Sequence, residues 1–162
     1  MKSRVFYQVF IRSFADSNGD GIGDLKGLIS KLDYLKNLGI TGIWLSPVHP
    51  SPSYHKYDVV DYYSIDKEFG TLNDFRQLVN EAHRRNISVL LDLVINHTSE
   101  YHPWFLEALK SKDSPYRNYY VWRNPQKLKN KSNWHFPGNE HEQTMEKEMY
   151  YGFFWSGMPD LN

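Results

Sequence analysis

Cysteine is absent from the 162 residues, which removes disulfide frameworks, thiolate nucleophiles and Cys-ligated zinc together. Excess charge is missing too: 19 Lys and Arg balance 19 Asp and Glu, so a phosphate-backbone binder is not expected. No long apolar run occurs, since Val89-Leu90-Leu91 is cut off by Asp92, far short of a membrane span. No glycine-rich phosphate loop joins the first strand to its helix, and the acidic loop found there would repel phosphate unless it held a metal. These absences exclude nucleic acid and membrane as expected partners. The charged start, Met1 to Arg4, leads into a short apolar stretch interrupted by Gln8, with no small-residue cleavage site. It reads as a first strand rather than a leader, and with Met1 as the start a cytoplasmic location is expected.

Aromatic side chains are plentiful instead: 12 Tyr, 9 Phe and 5 Trp, many of them in polar surroundings. Aromatic faces beside hydrogen-bonding groups suit flat, hydroxyl-rich ligands such as sugars, and equally suit ordinary cores and interfaces. The length allows one domain with a core of ordinary size.

Val5–Phe10 reads as a buried strand. From Asp24 the pattern turns helical, with Leu25, Leu28, Ile29, Leu32, Leu35 and Leu38 at three- and four-residue steps and Gly39 at the left-handed cap. Thr41–Leu45 is a second strand, ended by Ser46-Pro47. Thr71 and Asp74 open a second helix whose stripe is Phe75, Leu78, Val79 and Ala82. Ile87–Ile95 is a third strand, apolar on both faces apart from Ser88 and Asp92. Strands buried on both faces and joined by helices imply a parallel α/β sheet, either open and doubly wound or part of a (β/α)8 barrel. Beyond Asn96 the register breaks. Pro103–Lys110 fits a short helix, while Asn124–Glu148 is polar, lysine-rich and without sustained period.

The sharpest local pattern is Asp16-Ser-Asn18-Gly-Asp20-Gly-Ile22-Gly-Asp24. Side-chain oxygens at alternate positions, with glycines between, let a loop curl around a hard cation such as calcium; Asp16, Asn18, Asp20, Asp24 and the Ile22 carbonyl are the candidate ligands. An EF-hand is not expected, because Gly27 occupies the place of the closing glutamate and a strand precedes the loop. The competing reading is an Asx-rich turn that caps the helix through Asp24. Asp92 is the next anomaly: a carboxylate in an apolar strand is costly unless paired. With Asn96 and His97 close behind, it lies at the strand's C-terminal end, where parallel α/β folds bind ligands, and the alternative is a carboxylate that ties loops together. Tyr54-His-Lys-Tyr57-Asp58 falls on the same edge and offers a ring either to a sugar or to the top of the core. Trp104, Trp122, Trp134 and Trp155 are too scattered to assign and read mostly as packing.

Val5-Phe-Tyr-Gln-Val-Phe10, Asp16–Asp24, Gly42-Ile-Trp-Leu-Ser-Pro47, Tyr57-Asp58, Asp92-Leu-Val-Ile-Asn-His97 and Met158-Pro-Asp-Leu-Asn162, in this order, resemble the α-amylase superfamily of glycoside hydrolases, family 13. The resemblance implies the N-terminal portion of a (β/α)8 barrel over residues 1–98 and an irregular B domain inserted after the third strand over 99–162. It implies retaining hydrolysis of α-1,4-glucans such as starch and maltooligosaccharides. Tyr57 then matches the aromatic platform under the reacting sugar, His97 the histidine at that sugar's primary hydroxyl, and Asp92 a carboxylate that braces the site. Asn96 and Asp160 match a second calcium position. Tyr150 to Gly157 is similar to α-amylases of the intermediate group, whereas Met158 departs from the glutamine typical of oligo-1,6-glucosidases. The nucleophile and acid/base, which in a retaining enzyme stand about 5–5.5 Å apart, are expected beyond Asn162, so no residue here is assigned as catalytic. On that expectation residues 1–162 alone are inactive; the alternative is a silent carbohydrate-binding or assembly protein built on a partial barrel.

Overall fold

The computed structural model describes residues 4–138 and 148–162. Met1 to Ser3, and the part of the polar Asn124–Glu148 tract numbered 139–147, lie outside the described residues. The described residues divide into two compact units, one made of those up to 56 and of 61–93, the other of 57–60 and of those from 94 onward.

In the first unit, β1 (Phe6–Val9), β2 (Gly42–Leu45) and β3 (Ser88–Leu91) form one parallel sheet in the order β1-β2-β3. Register sets Val9 opposite Leu45 and Gln8 opposite Trp44, so side chains alternate between two faces. Val9, Ile43 and Leu45 are fully buried and share a core with Leu25, Leu28, Leu32, Leu35, Leu78 and Ala82 of the helices. The other face is open: Phe6 and Trp44 are 41% exposed and Leu90 50%. Among the described residues the helical layer covers one face of this sheet. The third strand is also shorter than Ile87–Ile95, pairing only through Leu91, and Leu93 and Ile95 beyond it are largely exposed.

The first predicted helix is two: α1 (Leu25–Ser30) and α2 (Leu32–Asn37), separated at Lys31. Ser30 donates its hydroxyl to the Gly27 carbonyl at 2.6 Å, a back-bond that competes with the helical ladder and bends the chain. The leucine stripe survives the break except at Leu38, which is 56% exposed at the C-cap. Gly39, at φ +87°, gives its N–H to Lys36, and Ile40 gives its own to Leu35, closing the helix as a Schellman turn. The third helix, α3 (Leu72–Arg84), starts with the capping box that Thr71 and Asp74 predict: Asp74 N–H to the Thr71 hydroxyl at 3.2 Å and Thr71 N–H to the Asp74 carboxylate at 2.8 Å. Leu78 and Ala82 are its buried positions.

The second unit holds α4 (Pro103–Lys110), with Pro103 at its first turn and His102 Nδ1 accepting the Trp104 N–H. Its strands, β4 (Trp122–Arg123), β5 (Trp134–His135) and β6 (Met149–Tyr151), form a small antiparallel sheet in the order β4-β6-β5. Aromatic packing replaces an aliphatic core here. The Phe105 ring meets Tyr150 at 4.9 Å and Tyr120 at 5.0 Å, and stacks on Trp122 at 5.8 Å. Among the described residues no helix is long and apolar enough to cross a membrane.

Candidate functional site

In the first unit, the acidic loop between β1 and α1 is organised by its own carboxylates. Asp16 accepts the N–H groups of Asn18 (2.9 Å), Gly19 (2.7 Å) and Gly21 (2.8 Å), which hold its carboxyl below the ordinary aspartate value. Asn18 Oδ1 accepts the Asp20 N–H, and Asp20 Oδ1 accepts that of Ile22. Asp24 caps α1 by accepting the Gly27 N–H at 2.7 Å and takes both Ser17 donors on its other oxygen. Burial pushes the Asp24 carboxyl up, and the Gly27 and Ser17 donors together outweigh it and leave it low. The turn-and-cap arrangement is thus present. Among the described residues no three Asp, Glu or His side chains converge as a metal cluster.

Asp92 follows the last residue of β3, so it stands at the C-terminal end of the parallel sheet. It is half-buried rather than enclosed, and Trp44 Nε1–H donates to it at 3.4 Å. The named strand ends at Leu91, yet the Asp92 N–H still bonds the Leu45 carbonyl at 3.0 Å, so the carboxylate stands at the very end of the ladder rather than inside it.

In the second unit the structure brings Tyr57 and His97 together. His97 is buried, and its Nε2 lies 3.2 Å from the Tyr57 carbonyl oxygen. A carbonyl only accepts, so Nε2 carries the proton and Nδ1 accepts from the Asn96 amide at 3.5 Å. Tyr57 as a residue is 37% exposed, which leaves part of it reachable. His97 also bridges Asp160 in antiparallel fashion, with the Leu161 N–H on the Asn96 carbonyl at 2.9 Å, so the Asp92–His97 and Met158–Asn162 motifs are knitted at Asn96, His97 and Asp160. Asp160 is buried, and its carboxylate accepts the Phe153 N–H at 3.2 Å.

Sequence reasoning missed the ring that packs on the imidazole, Phe154, whose centroid lies 5.2 Å from that of His97. Three successive aromatics at Phe153, Phe154 and Trp155 were the available signal. It also missed Tyr120, whose buried hydroxyl pairs with that of Thr98 at 2.8 Å.

The sequence and fold have counterparts among known proteins. A family model described as "Alpha amylase, catalytic domain" matches residues 8–162. Alpha-amylase 3 of Dictyoglomus thermophilum is 53% identical over 161 residues, covering 99% of this chain and 31% of that protein. Oligo-1,6-glucosidase of Parageobacillus thermoglucosidasius is 51% identical over 165 residues, covering 99% of this chain and 29% of that protein. The crystal structure of the alpha-amylase from H. orenii superimposes with a TM-score of 0.82 at 51% identity, over 100% of this chain and 34% of the other. The chain thus spans about a third or less of the length of these relatives. Its parallel β1-β2-β3 sheet and helices correspond to the matching part of their (β/α)8 barrels. The Tyr57–His97 pairing, the knitted motifs and a family match over nearly every residue lead to one assignment: the chain belongs to the α-amylase family.

Proposed function

We propose that the protein acts on α-1,4-glucans as a retaining glycoside hydrolase, with Tyr57 as the aromatic floor for a glucose ring. The observation that carries this reading is Tyr57 left partly reachable while its backbone is held by buried His97. A pyranose ring presents a C–H face that packs on an aromatic plane, and its hydroxyls seek neighbouring polar groups. His97 serves twice on this reading: it fixes the tyrosine's backbone, and its Nε2–H is the donor that a primary hydroxyl would share. Asp92, at the C-terminal end of the sheet, takes a bracing role on the edge where barrel enzymes do chemistry. The second unit takes the place of the B domain. We place the nucleophile and general acid in the part of the family's length that these residues do not match.

The acidic loop fits a hard cation by the chemistry of its donors: five oxygens at alternate positions, three carboxylate, one amide and one carbonyl, with Gly21 at φ +86° curling the backbone. Asp16, Asn18, Asp20, Asp24 and the Ile22 carbonyl would hold calcium, which would cross-link the loop. Asn96 and Asp160, adjacent across the bridge to His97, are the second candidate pair.

Isothermal titration with maltotriose and isomaltotriose tests the sugar reading, alongside starch hydrolysis by the full-length protein. Maltotriose should bind more tightly than isomaltotriose, and Tyr57→Ala should weaken it roughly tenfold, the scale of one lost aromatic contact. Equal binding by Tyr57→Ala would remove the platform; preference for isomaltotriose would remove the α-1,4 assignment. Binding without hydrolysis would identify a carbohydrate-binding protein instead.

A further inference from the structure

Between Lys110 and Lys131 the chain carries seven Lys and Arg against one acid, Asp113, although the whole sequence is neutral. In the second unit this stretch borders a cavity of about 480 Å³, whose lining includes Lys112, Arg117, Trp122, Arg123 and Glu148. Arg117 is its rigid member. The guanidinium lies 3.4 Å from the centre of the Trp122 ring, donates to the Ala108 carbonyl at 2.9 Å and to Glu148 at 2.7 Å, and is only 13% exposed. The Trp122 indole N–H in turn donates to the Arg117 carbonyl at 2.8 Å. A long side chain held this way loses its rotamer freedom on folding rather than on binding, which favours a ligand.

Glu148 is the one carboxylate in the lining, and two cations share it: Arg117 at 2.7 Å and Lys112 at 3.6 Å. Arg123 is exposed and enters no ion pair among the described residues. Three positive charges therefore surround one negative, an excess that a doubly charged anion would balance. A cleft lined by charge of one sign concentrates the opposite ion, and a planar guanidinium presents paired N–H groups to an oxyanion. The volume falls in the range of small-molecule sites, about 300–1,000 Å³, and leaves room for a group attached to the oxyanion. We propose that this cavity binds a doubly charged oxyanion, inorganic phosphate or a phosphate monoester, between Arg117, Arg123 and Lys112. The proposal uses neither Tyr57 nor His97, and it stands or falls apart from the sugar reading.

The test is titration calorimetry of the full-length protein with inorganic phosphate, glucose 6-phosphate, glucose and chloride, at constant ionic strength and without added calcium. Phosphate and glucose 6-phosphate should bind, and glucose should not displace phosphate. Arg123→Gln and Lys112→Gln, both at exposed positions, should each weaken phosphate roughly tenfold, the scale of one charge-assisted hydrogen bond, with the thermal midpoint unchanged. Glu148→Gln keeps an acceptor for Arg117 while removing the negative charge, and should tighten phosphate by a similar factor. If near-ultraviolet dichroism shows that Glu148→Gln disturbs the fold, the two surface variants decide alone. Tighter binding of glucose 6-phosphate than of phosphate supports a monoester ligand, and the reverse supports the free ion. Chloride binding as tightly as phosphate overturns the proposal, since it would mark mere screening of a basic surface. Unchanged phosphate affinity in Arg123→Gln, or displacement of phosphate by glucose, overturns it as well.

Discussion

Replacing Lys56 isolates a buried charge from a strained backbone, two effects that can be sized separately. The Lys56 side chain is 5% exposed, with Nζ 2.8 Å from Asp66 and 3.1 Å from Glu68. Its backbone sits at φ +63°, a left-handed conformation that costs a non-glycine residue about 1–2 kcal/mol. Deleting one partner of a buried pair costs about 3–5 kcal/mol. Asp66 would keep the Glu68 N–H at 3.0 Å, and Glu68 would keep Arg12 at 2.7 Å, which puts the loss at the low end. Lys56→Ala should therefore lose about 3 kcal/mol, or a drop of roughly 6–12 °C in midpoint for a chain of this size. Lys56→Gly loses the same pair and relieves the left-handed strain, less the chain entropy glycine adds. It should be more stable than Lys56→Ala by about 0.5–1 kcal/mol. Urea unfolding of the three proteins decides both points. An alanine variant within 1 kcal/mol (about the error of such an argument) of the parent refutes the charge argument, and a glycine variant no better than alanine refutes the backbone one.

Phe105→Ala should cost about 3–5 kcal/mol, because three aromatic partners lose the ring they pack on, and near-ultraviolet dichroism should report it. On the calcium reading, added calcium raises the thermal midpoint of the parent and not of Asp20→Ala; an equal response in both would remove that loop as the binding site. Acid should destabilise the protein. Asp74, hydrogen-bonded by the Thr71 hydroxyl and N–H, and Glu148, paired with Arg117, are held below their ordinary values. Their stabilisation is complete above those values and lost as pH falls through the lower, folded ones. Glu100, raised by burial and by Asp58, works in the opposite sense, losing its contribution as pH rises. Asp16 and Asp24 are lowered in the same way, so the lowered carboxyls outnumber the raised one; urea midpoints should fall from pH 5 towards pH 3 (roughly the range in which carboxylates titrate), and a rise over that range would contradict the argument.

Local chemistry was legible in the sequence wherever one short segment carried its own partners. Thr71 and Asp74 lie three apart and form the capping box; Gly39 follows the last leucine and takes the left-handed turn; Asp24 opens α1. The leucine period gave the buried stripe of α1 and α2, though not the break, because Ser30 chooses the Gly27 carbonyl only once the helix exists. The short strands of the second unit were not legible: two- and three-residue segments carry no period, and their pairing joins Trp122 to Tyr150 and Trp134 to Tyr151 across long stretches of chain. Motif order carried the resemblance to the family and hydrophobic periodicity the parallel sheet, and Tyr57, Asp92 and His97 became candidates through their place on one sheet edge and through that resemblance. Only tertiary structure decided that His97 donates to the Tyr57 carbonyl and that Phe154 rests on the same imidazole. The physical reason is range: caps and turns are settled by neighbours within a few residues, whereas a bond between residues 40 apart in sequence exists only after the chain has paid its ordering entropy elsewhere.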